Sequence, residues 1–307
     1  MGFTDFPYGV TSFGIPLIGS GRVLTTGRVF FVNSATGTDS PGYGVDKDRP
    51  FDTIDFAVGQ CSAGRGDFIL VMPGHTETIT AAAGLDLDVA GITILGLGQG
   101  ENRPVLDFTT ATTADMDVDA ASITVENFII KGNVDALAAI IDVNASDFSL
   151  INCEYRDVTG QCTVFLLGDA NADRLAVRGL TYRGATAAGT DAVIALNGSE
   201  DFLFDDFYVD GNFAVGVVDI RTVAVTNIRI LNGYARTRNA ADIIVIDTIT
   251  GSTGVIGPNV SARLQDNAAN ITEAFTGATF VYIQPINLVN LAGESSMFTN
   301  ITASTDA

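Results

Sequence analysis

Phe148-Ser-Leu150-Ile-Asn152-Cys153-Glu-Tyr155 is the stretch on which the fold of this 307-residue chain turns. Apolar side chains fill its first, third, sixth and eighth places, and an asparagine takes the fifth. Alternation marks a strand with one buried face, but here the phase slips by one at the asparagine. Asn, Gly and Asp enter the left-handed backbone region most cheaply. One such residue can bend the chain while both flanking strands keep pointing inward. The phrase returns as Ile123-Thr-Val125-Glu-Asn127-Phe128-Ile-Ile130, Leu175-Ala-Val177-Arg-Gly179-Leu180-Thr-Tyr182, Phe202-Leu-Phe204-Asp-Asp206-Phe207-Tyr-Val209 and Val223-Ala-Val225-Thr-Asn227-Ile228-Arg-Ile230. A weaker copy, Ile92-Thr-Ile94-Leu-Gly96-Leu97, stands in front, and the five full copies start 25, 27, 27 and 21 residues apart.

After each phrase come a variable loop and a second apolar run: Ala139-Ile-Ile-Asp-Val143, Thr163-Val-Phe-Leu-Leu167, Ala192-Val-Ile-Ala-Leu196, Gly216-Val-Val-Asp-Ile220 and Asp242-Ile-Ile-Val-Ile246. Each repeat therefore supplies three short strands. A unit of this length buries its apolar face only against its neighbours. The fold class that follows is all-β, a right-handed parallel β-helix of three strands per coil. About eight coils at ~4.8 Å each make a rod of roughly 40 Å. Asn127, Asn152, Asp206 and Asn227 are expected at the bend, where stacked amides can form a ladder. A leucine-rich repeat would show a helical half, and a propeller would need antiparallel blades of ~40 residues.

The net charge is −20, with no basic patch to balance it, which argues against nucleic acid or an anionic membrane as partner. The acidity serves solubility, or else the binding of a divalent cation. Three scattered cysteines, with Cys153 at an inward place, suit a reducing compartment better than a disulfide framework. No leader-like segment opens the chain, so the expected place of synthesis is a cytoplasm. The lone histidine, His75, is expected to hydrogen-bond within its Pro-Gly-His-Thr turn.

Three regions follow. Residues 1–28 hold Phe3, Phe6, Pro7, Phe13 and Pro16 without helical or strand period. Large aromatic groups in a free tail are costly in water, so this arm is expected to anchor on a partner or another copy, or to close the base of the rod. Residues 29–250 form the rod, opening with a strand at Val29–Asn33 and a capping helix from Ile54 to Cys61, with Thr53 as its cap. From about residue 250 the period fades, so 251–307 is expected to be a C-terminal cap or oligomerisation segment.

The run DRPFDTIDFAVGQCSAGRGDFILVMPGHTETI, residues 48–79, together with the coils behind it, resembles the pectin-lyase-like β-helix superfamily over about residues 29–250. Asp5-Phe6-Pro7-Tyr8-Gly9-Val10 resembles the starts of tailed-phage structural proteins. The superfamily resemblance implies either a glycan-degrading lyase, hydrolase or esterase, or a phage spike or virion protein.

A lyase needs clustered carboxylates for Ca²⁺ and a base; a hydrolase needs two acids on one face. The nearest set in this sequence is Glu154, Asp157 and Arg183, beside Arg156, with Asp210 expected to pair with Arg183. The strand after the variable loop reads as apolar on both faces, interrupted by Asp142 and Asp219, as in a sheet buried between subunits. The variable loops are short and build little of a groove. The expectation is therefore a structural virion protein, a homotrimeric decoration or spike subunit that contacts other virion proteins such as the major capsid protein. It needs no cofactor on this reading. A glycan-cleaving tailspike, acting on a host surface glycan with or without Ca²⁺, is the alternative.

Overall fold

The computed structural model describes residues 25–158, 162–185, 190–237, 243–247, 249–264, 275–276, 280–282 and 285–290, with short pieces at 11–12 and 15–16. The chain winds as a right-handed parallel β-helix. Its first face carries Thr124–Glu126, Ser149–Ile151 and Ala176–Arg178, stacked parallel and in register. Its second face carries Ile129–Gly132, Glu154–Asp157 and Thr181–Arg183. The third holds an eight-stranded sheet, in line with about eight coils, that includes Met116–Val118, Ile141–Val143 and Val164–Gly168.

Two columns of left-handed residues make the turns. At the bend between first and second faces stand Asn127, Asn152, Gly179, Asp206, Asn232 and Asn259, with φ of 66°, 52°, 67°, 52°, 46° and 59°. Their numbers step by 25, 27, 27, 26 and 27, one coil each. The N–H of Asn127 donates to Ile151 O at 3.0 Å and that of Asn152 to Arg178 O at 2.8 Å. Every such bond ties a bend to the coil above it, so an opened main-chain donor is not left unpaired. The second column, between third and first faces, holds Ser122, Asp147, Arg174, Asp201 and Asn227, again with positive φ. Their N–H groups climb the rod in the same way, from Asp147 to Asp173 O at 2.8 Å and from Arg174 to Glu200 O at 2.7 Å.

Asn227 is thus corrected from the bend to the corner. The bend of that coil is Asn232, and the true phrase runs Ile228-Arg-Ile230-Leu-Asn232, paired with Leu203 to Asp205. Amide contacts in the bend column are partial. Asn259 Nδ2 donates to Asn232 Oδ1 at 3.0 Å, Asn232 Nδ2 to Asp205 Oδ1 at 2.9 Å, and Asn127 Nδ2 to the Gly96 and Gly98 carbonyls.

The interior is apolar and stacks like on like. Phe128, Phe148 and Phe207 are buried, and Phe204 lies on Phe207 with ring centroids 4.0 Å apart. Tyr155 stacks on Tyr182 at 4.9 Å, and its hydroxyl donates to Asp157. One coil above Phe207 the chain has Gly233, where a Cβ would meet the Phe207 ring at 2.2 Å. The aromatic stack leaves no room there for any other residue.

At the base, Thr53 accepts from Phe56 N–H and opens a helix of Ile54–Val58, shorter than the expected stretch to Cys61 because the chain turns at Gly59. Ile54, Ala57 and Val58 cover the first coil. His75 is buried: its Nδ1 accepts from Ser34 N–H at 2.9 Å, and Nε2 lies 2.9 Å from Glu77 Oε2. Since Nδ1 accepts, the ring proton belongs on Nε2 and points at the carboxylate. Glu77 in turn accepts from Ile54 N–H at 2.9 Å, so His75 and Glu77 pin the cap helix to the rod.

The far boundary is also corrected. Gly254–Ile256 and Val260–Leu264 continue the first and second faces, and Phe280–Tyr282 and Ile286–Asn290 add a further rung. The rod runs through residue 250 without a break in register. In the arm, Pro16 belongs to Ile15–Pro16, paired antiparallel with Thr11–Ser12. Phe3, Phe6, Pro7 and Phe13 lie outside the described residues.

Candidate functional site

The sheet register decides which polar side chains share a surface. On the second face, Glu154 points outward and receives three guanidiniums. Arg156 Nε and Arg183 Nε each donate to Oε1 at 2.9 Å, and Arg103 bonds Oε2. Arg156 also grips Glu101 through two bonds, of 2.9 and 2.7 Å. Burial alone would raise the Glu154 carboxyl, but the three arginines hold it down at about 2. A carboxylate so low, with its lone pairs engaged, is a poor base and no acid at neutral pH. It is an electrostatic strut across three coils.

Asp157 does not join it. Alternation along Glu154–Asp157 turns it to the interior, where its carboxylate accepts from Tyr155, from Ala185 N–H at 2.8 Å and from Cys162 N–H at 3.3 Å. Asp210 is the register partner of Arg183, yet the expected pair is corrected: Asp210 binds Arg236 through Nε at 3.0 Å and a second nitrogen, while Arg183 turns down to Glu154. Glu154, Asp157, Arg183 and Asp210 therefore form two ion clusters and an interior hydrogen-bond node, not one site. Among the described residues no group of three or more ligating side chains is placed to hold a metal ion.

Correct phasing also exposes a feature the sequence reading missed. Lys131, Arg156, Arg183, Asp210, Arg236 and Arg263 stand in one vertical column on the second face. Five of its six members are cationic in a chain with only 16 lysines and arginines. Beside it Tyr208 and Tyr234 stack at 5.5 Å, with Tyr208 exposed.

The third face requires a larger correction. Its paired apolar residues both point inward: Ile140 with Ile141, and Phe165 with Leu166, are fully buried in the single chain. The outward column is Asp86, Asp117, Asp142, Leu167, Ala195 and Asp219. Its lower half is a stack of carboxyls at the strand spacing of ~4.8 Å, flanked by Asp115 and Asp119. Asn144 Nδ2 donates to Asp117 at 2.8 Å and to Asp119 at 3.1 Å. Burial, then the charges of Asp117, Asp115, Asp169 and Asp119, push the Asp142 carboxyl up to about 6. Burial is also the first cause that raises Asp86, Asp115 and Asp117. Asp142 thus takes up a proton at higher pH than an ordinary aspartate, on the rung next to Asp117. The signal lay in the alternation Asp115-Met-Asp117-Val-Asp119 and Leu85-Asp-Leu-Asp88, in coils ahead of the first recognised third strand.

No family model matches the chain, and none of the curated proteins does. Solved structures align with much of its length. A rhamnogalacturonan lyase aligns over 89% of this chain and 90% of its own, at 13% identity and a TM-score of 0.42. An endo-xylogalacturonan hydrolase from Aspergillus tubingensis aligns over 89% and 96%, at 10% identity and a TM-score of 0.43. ORF18 of Geobacillus virus E2 aligns over 81% of this chain and 60% of its own, at 13% identity and a TM-score of 0.31.

Proposed function

We propose that the chain is a structural, self-associating subunit of a tailed-phage virion, a decoration or spike protein anchored through its N-terminal arm. One observation carries this reading. On the outer surface of the first face, at the base, Phe68, Leu70 and Leu95 pack against Val29, Phe31 and Leu97 as an apolar cluster separate from the interior core. Rung pairing of Phe31 with Leu70 and of Leu70 with Leu95 makes it a continuous strip. Phe68, Leu70 and Leu95 are nearly covered within the single chain and Val29, Phe31 and Leu97 are half-buried, so the surface offered to a second copy is the strip's half-buried edge. The strip begins where the aromatic arm enters the rod. It replaces the third face as the ground for association, since that face is acidic at the same height and would repel a copy of itself. A trimer is the assembly implied by the resemblance to phage β-helices; virion proteins such as the major capsid protein are the proposed anchors. Light scattering of the full-length protein tests the association. A monomer at micromolar concentration would sink the reading.

The alternative, a glycan-cleaving tailspike, has its own support in the Asp117 and Asp142 stack. Neighbouring rungs hold two carboxyls near the ~5–5.5 Å separation used by retaining glycosidases. A screen for new reducing ends and unsaturated products on acidic polysaccharides, with and without Ca²⁺, tests it. Activity that disappears in Asp142→Asn would establish an enzyme.

A further inference from the structure

Tyr208 and Tyr234 are register partners on adjacent coils of the second face, and their rings stack with centroids 5.5 Å apart and planes 19° from parallel. Tyr208 is 38% exposed and Tyr234 half-buried, so small solutes reach the pair from the outer side. A second stack, Tyr155 on Tyr182 at 4.9 Å, has a similar geometry in the opposite setting. Both of its rings are fully buried, the Tyr155 hydroxyl donates to Asp157, and the Tyr182 hydroxyl lies 3.7 Å from Cys162 Sγ. The chain has no tryptophan to draw an oxidising equivalent away, and Cys153 and Cys162 are buried. Among the described residues, the outer stack is where a one-electron oxidant in solution meets two phenols already held face to face.

The rod fixes this arrangement. Parallel register holds the two residues at the ~4.8 Å rung spacing. Behind them Phe207 fills the space that Gly233 leaves, which locks the two strands in place. A small tilt about the side-chain bonds brings together the ring carbons next to the two hydroxyls. We propose that Tyr208 and Tyr234 are an oxidative modification site, joined by a peroxide-driven reaction into a dityrosine staple between neighbouring coils. Each phenol gives up one electron and its hydroxyl proton. The two phenoxyl radicals then couple, forming one carbon–carbon bond between the ring positions next to each oxygen. The hydrogen on each coupled carbon moves to the oxygen, which restores both aromatic rings. The protein loses two hydrogen atoms in all, and hydrogen peroxide takes up the two electrons and two protons to become two molecules of water. The link joins residues 26 apart in the chain, and a cross-link of that kind stabilises by restricting the unfolded state. Both tyrosines come from one chain, so the staple does not depend on the virion reading.

The test is oxidation of the full-length protein by hydrogen peroxide with a small haem-peptide peroxidase, then tryptic digestion and mass spectrometry. Peptides 184–221 and 230–236 should appear joined, lighter than their sum by two hydrogens. In a mixture of ordinary and heavy-nitrogen protein, almost every link should fall within one isotope. Groups held together react as one molecule, so the native protein should give at least about tenfold more of this link than the denatured protein. Tyr208→Phe and Tyr234→Phe keep the ring and lose the phenol. Each should abolish the link while leaving the melting midpoint of the unoxidised protein unchanged. The linked protein should melt higher than its unoxidised parent. No 208–234 link, a link chiefly between chains, equal yield after denaturation, a dominant link between Tyr155 and Tyr182, survival of the link in either variant, or an unchanged midpoint on linking would each overturn the assignment.

Discussion

Asp142→Asn should make the protein more stable at pH 8 and leave it unchanged at pH 3.5. The Asp142 carboxyl ordinarily titrates at 3.8 and is pushed up to about 6, by burial first and then by the acids around it. Below 3.8 both the folded and the unfolded chain hold the proton, so the group contributes nothing. As pH rises, the unfolded chain releases the proton more readily, and native stability falls until the penalty is complete above about 6. The gap corresponds to roughly 3 kcal/mol, which solvent screening at this partly exposed face reduces to about 1–2 kcal/mol. An amide carries no charge and can donate to Asp117, so the variant should recover that amount. For a chain of this size the gain is roughly 2–5 °C in the melting midpoint, read by circular dichroism at one scan rate because β-helices can unfold irreversibly. The charges that act on Asp142 besides its burial are those of acids, Asp117, Asp115, Asp169 and Asp119. An equal gain at both pH values, or a loss at pH 8, would refute the reasoning.

Other substitutions probe other parts of the fold. Glu154→Gln should cost about 2–4 kcal/mol at pH 7, because it leaves three guanidiniums facing one another. Glu154 is held down at about 2, so the stability it adds is present above about 4.5 and lost as pH falls towards 2; the variant and the parent should converge in acid melts. Asn127→Ala should cost about 2–3 kcal/mol, one part for a left-handed backbone and one for two side-chain bonds, and Asn127→Gly should cost about 1 kcal/mol less; the reverse order in denaturant melts would contradict the bend assignment. Phe31→Asp, at the half-buried edge of the strip, should break the proposed self-association in light scattering without unfolding the rod, as judged by circular dichroism. The three cysteines carry no disulfide, and burial pushes Cys61 and Cys162 up to about 12 and Cys153 to about 11. Ellman's reagent should therefore find almost no fast thiol in the native protein and three after denaturation.

The fold was legible because a solenoid states its core many times. Val125, Leu150, Val177 and Phe204 occupy one inward column, and an error in reading any single coil is outvoted by the others. The outer surface has no such redundancy. Each outward residue is fixed only by the register of its own coil, and both turn columns draw on the same small set of residues that tolerate positive φ. Where Asn227 and Asn232 stood five residues apart, the phrase matched the corner instead of the bend. That one slip moved Tyr234 and Arg236 off the second face and concealed the cationic column. The 26-residue step from Asp206 to Asn232, followed by 27 to Asn259, was the signal that could have corrected it, and would also have carried the coils past residue 250.

The acidic stack escaped for a different physical reason. At the start of the third face, successive residues such as Ile140 and Ile141 both enter the core because the chain is still turning there. A strand that turns as it enters loses its alternation, and two adjacent apolar residues then look like two buried faces. Further along the same strand, past the turn, alternation returns and Asp142 points outward between Ile141 and Val143. In this architecture a pair of adjacent apolar residues marks a corner, and the polar residue that follows it is the outward one. Read this way, Asp142 is the outward rung of its coil, and the third face is a titrating surface at its base.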